Sequence, residues 1–285
     1  MLIWILLIGA LASSGGLLFE KIILREKKVN FKHFIVATFI PMVLLMIPLL
    51  FFYGRIDPQA WELRNLLILA LVVIFSVAAN IFAYYAIKWE KLNNLEPVKL
   101  LEPVFVILLA FAFFESERDP LILIPTLIAA VALVASHIKK HHIHFNKYLV
   151  SGILGSLFFA IEIILSKMIL EFYSPLSLYF VRSLFVGIIA LVIFRPKKIF
   201  KEIGVKERWT ILLISALWIT YRVLAYWGYQ NWGVVFTTLI LLLAPVFVYT
   251  FARIFLKEKI SWRNIVASIV IVLCIVYVNF RQFVF

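Results

Sequence analysis

The sequence predicts an all-α integral membrane protein, ten transmembrane helices built as two inverted five-helix repeats. Three observations carry this. Hydrophobic residues make up 65% of the 285-residue chain and charged residues only 15%, with a mean hydropathy of +1.06, far above a soluble domain of this length. Apolar runs of about 18 residues or more, enough to cross roughly 30 Å of hydrocarbon as helix, recur from end to end. Finally, Leu101-Glu102-Pro103-Val104-Phe105-Val106 returns 142 positions later as Leu243-Ala244-Pro245-Val246-Phe247-Val248. Each copy is followed by an apolar run, a short charged turn (Glu115-Ser116-Glu117, Lys257-Glu258-Lys259) and another apolar run, the mark of a duplicated chain.

Taken in order, helices are expected over 2–24, 34–53, 65–88, 96–114, 120–138, 148–170, 175–194, 209–231, 235–256 and 261–280. Five fall in each half, dividing the chain into a first repeat over 1–140, a linker over 141–147 and a second repeat over 148–285. Prolines at or inside the spans (Pro41, Pro48, Pro103, Pro125, Pro245) are compatible with membrane helices, which tolerate kinks. The first span is read as retained, because no basic segment precedes it and no cleavage site follows. The single cysteine, Cys274, excludes a disulfide framework.

The net charge of +13 is spread over the connections. It forms no single patch, so nucleic acid is not an expected partner. Arg25, Lys27, Lys28 and Lys32 follow span one, and Lys91 follows span three. Lys139, Lys140 and Lys147 follow span five, and Arg195, Lys197, Lys198, Lys201, Lys206 and Arg208 follow span seven. Lys257, Lys259 and Arg263 follow span nine, whereas the alternate connections hold only Arg55, Arg64 and Arg118. The positive-inside rule therefore puts the odd connections in the cytoplasm and both termini outside. An odd number of spans per repeat inverts the second copy relative to the first, an architecture of transporters. Gly9 and Lys21 of span one align with Gly155 and Lys167 of span six at an offset of 146, which places the two lysines near opposite faces.

These residues make the chain resemble an EamA-type ten-helix member of the drug/metabolite transporter superfamily. They are the Pro-Val-Phe-Val core in both copies, Leu101-Glu102-Pro103, the charged turns at Glu115 and Glu258, and the Gly-to-Lys pattern of spans one and six. The resemblance spans essentially the whole chain. It implies transport of a small metabolite, often export, by alternating access, in a bacterial-type plasma (inner) membrane. The halves are not interchangeable: Glu102 faces Ala244, and Ser116 faces Glu258.

Charges at depth are costly, about 2.5–3.5 kcal/mol at the centre of a span, and mark candidate sites. Arg222 sits mid-way along span eight, with Ser215, Trp218, Tyr226 and Tyr229 on its helical face. The repeat makes Asn80 the mate of Arg222 and Tyr84 the mate of Tyr226, with Ser76, Asn80 and Tyr84 forming one stripe on span three. Two such stripes suit the walls of one cavity, with cation–π contact from Arg222 to Trp218 or Tyr226. Glu162, on a face of span six with Phe159, Ser166, Gly155 and Gly152, has Gly16 as its mate; it pairs with Arg222 or exchanges a proton. The candidate binding set is Arg222, Asn80, Tyr84, Trp218, Tyr226 and Glu162.

Glu102 precedes Pro103, which lacks an amide hydrogen and lets the helix bend, so Glu102, Pro103 and its mate Pro245 are candidate gating or coupling residues. Arg182, in the outer third of span seven, guards the outer side or snorkels to the surface, and Lys21, Lys167 and Arg253 near span ends can snorkel too. The run His137 to His144 reads as a solvated linker, since lysines interrupt it and no carboxylate or cysteine adjoins it. No catalytic constellation, metal site or cofactor motif is found. The sequence therefore points to a secondary transporter of a small polar metabolite, an amino acid or organic anion; with no ATP-binding segment, its energy comes from a gradient of a proton, another ion or a solute, or the flow is downhill. Its walls are expected from spans one, three, four, six, eight and nine, and it works as a monomer or homodimer. A lipid-linked or amphipathic solute translocase, an accessory subunit and a passive pore are the alternatives.

Overall fold

The computed structural model describes residues 3–25, 30–89, 98–137, 146–195, 204–255 and 261–284. Eleven helices run through them: α1 (Ile3–Arg25), α2 (Phe31–Tyr53), α3 (Leu63–Trp89), α4 (Leu101–Phe113), α5 (Pro120–His137), α6 (Lys147–Ile169), α7 (Pro175–Phe194), α8 (Val205–Trp232), α9 (Val234–Leu241), α10 (Leu243–Phe255) and α11 (Trp262–Val284). Seven of these are long and apolar enough to cross a bilayer by themselves, while α4, α5 and the α9–α10 segment are shorter apolar helices. The expected spans are all present. The basic runs at Lys27-Lys28, Lys91, Lys139-Lys140, Lys197 to Lys201 and Lys257 to Lys259, and the histidines 141–144, lie outside the described residues.

The main correction to the expected spans concerns the ninth, which is two helices. Its backbone breaks at Leu242 between α9 and α10, one turn ahead of Pro245. Leu100, 142 residues earlier, makes the same break between helical Val98-Lys99 and α4, ahead of Pro103. A proline donates no hydrogen bond to the carbonyl four residues back and its ring crowds that carbonyl, so the duplicated Pro fixes a discontinuity in both halves. Broken helices are tolerated at membrane depth where they border protein or a cavity.

Packing follows the duplication. Helix α3 lies along α6 as α1 lies along α8; α4 rests on α6 as α10 rests on α1; α2 pairs with α7, and α5 with α11. Exchanging the halves maps each of these pairs onto another or onto itself, as a twofold axis between inverted repeats requires. Small residues set the closest approaches. A Cβ on Gly155 of α6 would lie 3.0 Å from the backbone nitrogen of Ala83 in α3, and one on Gly9 of α1 would lie 3.5 Å from Leu224 Cβ in α8. Large apolar side chains point away from the bundle, among them Leu44, Phe51, Ile74, Ile128, Val192, Ile269, Leu273 and Phe280. Such an apolar exterior belongs against lipid.

One end of the bundle is knitted together by its connections. Residues 54–57 between α2 and α3 pair with 172–174 between α6 and α7: Asp57 N donates to Phe172 O (2.8 Å) and Ser174 N to Arg55 O (2.9 Å). Gln230 of α8 donates to the Leu170 and Tyr173 carbonyls at 2.6 and 3.0 Å. The turn after α4 contributes Glu117, expected only as part of a charged turn. Its carboxylate is buried and accepts the backbone N–H groups of Val234 (2.6 Å) and Val235 (2.9 Å) at the start of α9. A negative group on the free N–H groups of a helix N-terminus is doubly favourable, by hydrogen bonding and by the helix dipole. Gly233 is required beside it: its φ is +82°, and a Cβ would lie 2.7 Å from Glu117 Oε1.

Gly155→Leu should wedge α3 from α6 and cost about 1–3 kcal/mol, read as a lower thermal midpoint of the protein in detergent. An unchanged midpoint would show that the two backbones do not meet there.

Candidate functional site

Between the halves lies a cavity of about 240 Å³ whose walls come from eight of the ten spans. The six expected spans all contribute, and α2 (Thr38, Phe39, Met42) and α7 (Tyr179, Arg182) do so as well. The broken helices line it at Lys99, Leu100, Glu102 and Pro103 on one side and at Leu241, Leu242, Ala244 and Pro245 on the other.

The floor of the cavity, toward the knitted end, is an ionic cluster. Ser174 caps α7 and Pro175 occupies its first turn, which sets Arg182 two turns inside the helix. Asn146 caps α6 by accepting the Tyr148 and Leu149 N–H groups at 2.9 Å, and Glu162 follows on the inward face. Arg182 Nε stands 2.9 Å from Glu162 Oε1, and Arg222 Nη1 stands 3.6 Å from Oε2. Neither contact is aligned as a hydrogen bond, so the attraction is ionic. Their side chains are 3%, 0% and 7% exposed for Arg182, Glu162 and Arg222. The carboxylate is further held by the Tyr226 hydroxyl (2.9 Å) and the Ser166 hydroxyl (3.0 Å). Arg182 lies over the Tyr179 ring at 5.5 Å, and Arg222 over Tyr221 (5.7 Å) and Tyr226 (5.9 Å). Two guanidiniums thus meet one carboxylate in direct contact at the floor.

The opposite end of the cavity holds a second buried carboxylate. Glu20 of α1, only 4% exposed, accepts the Tyr84 hydroxyl (2.7 Å) and the Trp218 indole N–H (2.8 Å) on the same oxygen, Oε1. Lys99 lies within electrostatic range of both Glu20 and Glu102. Glu102 lies within range of Arg222, Glu162 and Arg182 as well, so it stands between the two charged groups. On this side Tyr84, Ile87, Lys99, Leu100 and Glu102 of the lining are half-exposed, with Glu20 and Ala86 buried among them, whereas Tyr173, Tyr226, Tyr229, Val234 and Phe236 toward the knitted end are all buried.

Arg222, Asn80, Tyr84 and Trp218 line the cavity as the stripes suggest, with Glu102, Pro103, Pro245 and Arg182. Tyr226 and Glu162 do not line it; both are fully buried behind the arginines. Arg182 does not snorkel outward, because Glu162 holds it inside, and Glu162 pairs with two arginines where one was expected. Trp218 does not stack on Arg222: its N–H is taken by Glu20, and Tyr221 and Tyr226 supply the ring faces. Asn80 turns its amide back to the Ser76 carbonyl at 2.7 Å. Lys167 donates to the Tyr229 carbonyl, while the side chains of Lys21 and Arg253 lie outside the described residues. Sequence reasoning missed Glu20, Tyr179, Met42 and Thr238. Glu20 stands beside Lys21 near a span end and reads as an interfacial charge; only the contact with Trp218, 198 residues away, places it inside.

A ten-span bundle of inverted halves, with broken helices and buried charges around a central hollow, has the architecture of an inverted-repeat membrane transporter. Sequence comparison gives the family. The EamA-like transporter family model matches residues 1–138 and again 146–280, and the chain belongs to that family, within the drug/metabolite transporter superfamily. No curated protein matches the sequence. A solved structure described only as "Crystal structure of protein" superposes with a TM-score of 0.75 at 13% identity, covering 99% of both chains, which shows a shared fold.

Glu162→Gln should leave two buried guanidiniums without their direct counter-ion and destabilise the protein by about 3–5 kcal/mol, seen as a lowered thermal midpoint. Combining it with Arg182→Met should cost less than the sum of the single changes, since one stranded charge is then removed. Simple additivity would show that the residues are not one ionic unit.

Proposed function

We propose that this EamA-family protein is a secondary transporter that moves a small polar metabolite, an amino acid or an organic anion, outward by alternating access through the central cavity. The observation that carries this reading is Arg222. Its guanidinium borders the cavity, has five N–H donors, and meets Glu162 at only 3.6 Å. It is pre-oriented by ring faces and retains donors for a carboxylate entering from the cavity, and Arg is the side chain best suited to bind one in a forked geometry.

The closed knitted end and the half-exposed lining at the other end support a state open to one side. With the positive-inside orientation, both termini outside and the chain in the plasma (inner) membrane, that side is the cytoplasm, from which an exporter loads. Repeats over 1–140 and 148–285 would rock about the cavity, with Pro103 and Pro245 as the bending points. A proton or another ion gradient would supply the energy.

The test is a thermal-shift screen of purified protein against amino acids, organic anions, sugar phosphates and nucleosides, repeated with Arg222→Ala. A carboxylate-bearing ligand should raise the midpoint of the wild type, and binding should weaken about tenfold or more in the variant. Equal shifts in both proteins would remove Arg222 from the site. In proteoliposomes the same ligand should show saturable counterflow, which a pore does not.

A further inference from the structure

The two halves hold their buried carboxylates differently. Tyr84 and Tyr226 are repeat mates, 142 positions apart, and each donates its hydroxyl to a carboxylate, Glu20 at 2.7 Å and Glu162 at 2.9 Å. The carboxylates themselves are not mates. In the register that aligns Lys21 with Lys167, Ser166 stands where Glu20 stands, and its hydroxyl is 3.2 Å from that of Tyr226. Gly16 stands where Glu162 stands, and the Trp218 indole fills the place of a side chain there, 3.4 Å from where a Cβ would be. Neither arginine has a counterpart near Glu20: the mate of Arg222 is Asn80, and α2, the mate of α7, contains no arginine.

Glu162 is therefore a carboxylate whose charge is permanently answered by two guanidiniums, and Glu20 is its relative without them. Glu20 nevertheless lines the cavity, 96% buried by the 4% of it that is exposed, with both described hydrogen bonds on Oε1. Among the described residues, the titratable and charged groups around Glu20 are Tyr84 from α3 and Lys99 ahead of α4, while Glu102 of α4 and Tyr221 of α8 line the cavity closer to Arg222. The lining residues of α9 and α10, namely Thr238, Leu241, Leu242, Ala244 and Pro245, are uncharged. Trp218 and Tyr84 bring aromatic rings to the same point, the company in which ammonium groups are bound.

We propose that Glu20 is a binding site for one exchangeable positive charge, either the ammonium group of the transported solute or a proton. The charge sits on Oε2, with Trp218 and Tyr84 fixing the other oxygen. Trp218 and Arg222 are four residues apart on α8, about 6 Å of helix rise, so a solute with its carboxylate on Arg222 would reach Glu20 with an amine a few bonds away. The cavity, with guanidiniums at the floor and the Glu20 carboxylate toward the other end, thereby favours dipolar solutes over plain anions. This inference rests on the transport reading above for its physiological meaning, and its test is separable from that reading.

Trp218 is a built-in reporter, because its N–H is bonded to Glu20. Fluorescence of the detergent-purified full chain, corrected with Trp218→Phe, would be followed in three titrations: pH without amine, propylammonium at fixed pH, and propionate at fixed pH. In the wild type, pH or propylammonium should change the Trp218 signal. In Glu20→Gln that response should weaken about tenfold or more, while propionate, which carries no amine, should still bind within about twofold. Loss of the pH response alone assigns a proton, loss of the amine response alone assigns an ammonium, and loss of both means that the two compete for one site. If Glu20→Gln does not fold, Glu20→Asp serves instead; it should keep both responses with weakened affinity. A Glu20→Gln response equal to that of wild type in pH and amine arms, or no wild-type response in either, overturns the proposal. Failure of propionate to bind the wild type would instead count against the carboxylate site at Arg222 and leave the Glu20 arms to be read as they stand.

Discussion

The constraint on which the site depends is the cost of holding charge away from water. Three ionic side chains, Arg182, Glu162 and Arg222, lie almost wholly buried at the meeting of α6, α7 and α8. Each would be very unfavourable alone, and the group is tolerable because every member has an opposite charge, a hydroxyl or an aromatic face against it. That requirement fixes more than local geometry. The carboxylate sits on one helix and its counter-ions on two others, so these helices cannot slide or rotate independently without stranding a charge. The same three helices form the floor of the cavity, and the arginines reach it already oriented.

Duplication supplies the frame, and divergence between the copies supplies the chemistry. Pro103 and Pro245, Leu100 and Leu242, Tyr84 and Tyr226 keep equivalent positions and do equivalent things: they break a helix or hold a carboxylate. Asn80 against Arg222 and Glu102 against Ala244 do not. A symmetric pair of halves would present the same charge at both ends of the hollow. The departures turn it into a cavity with two guanidiniums at the floor and, toward the other end, a buried carboxylate that has no arginine beside it.

The ends of the bundle differ in a way that bears on motion. At the knitted end, main-chain bonds between 54–57 and 172–174, the Gln230 amide and the Glu117 cap join connections from both halves. These contacts are short and polar, and a small change at each would release the end as a unit. Stability of this type is local, which is the kind available to a moving part.

Much of this was legible in the sequence for a definite physical reason. Lipid leaves a backbone no partner but itself, so long apolar runs must be helices, and their number, their inversion and the Pro-bearing core of each half can be read along the chain. The expense of intramembrane charge likewise singled out Arg222, Glu162 and Arg182, and the helical period set Asn80, Tyr84 and Trp218 on inward faces. What the chain order does not contain is which charge meets which. Glu20 beside a span end looks like an interfacial residue until Trp218 reaches it across 198 positions, and Glu117 looks like a surface turn until the start of α9 closes on it. Arg182 reads equally well as a snorkelling side chain, because the choice between water outside and Glu162 inside depends on where α6 packs. Apolar pattern and charge cost act along a single helix, so the sequence determined the spans and the candidates. Pairing energies act between helices, so only the tertiary structure decided the partners, the split of the ninth span and the placing of Glu20 and the arginines toward different ends of the cavity.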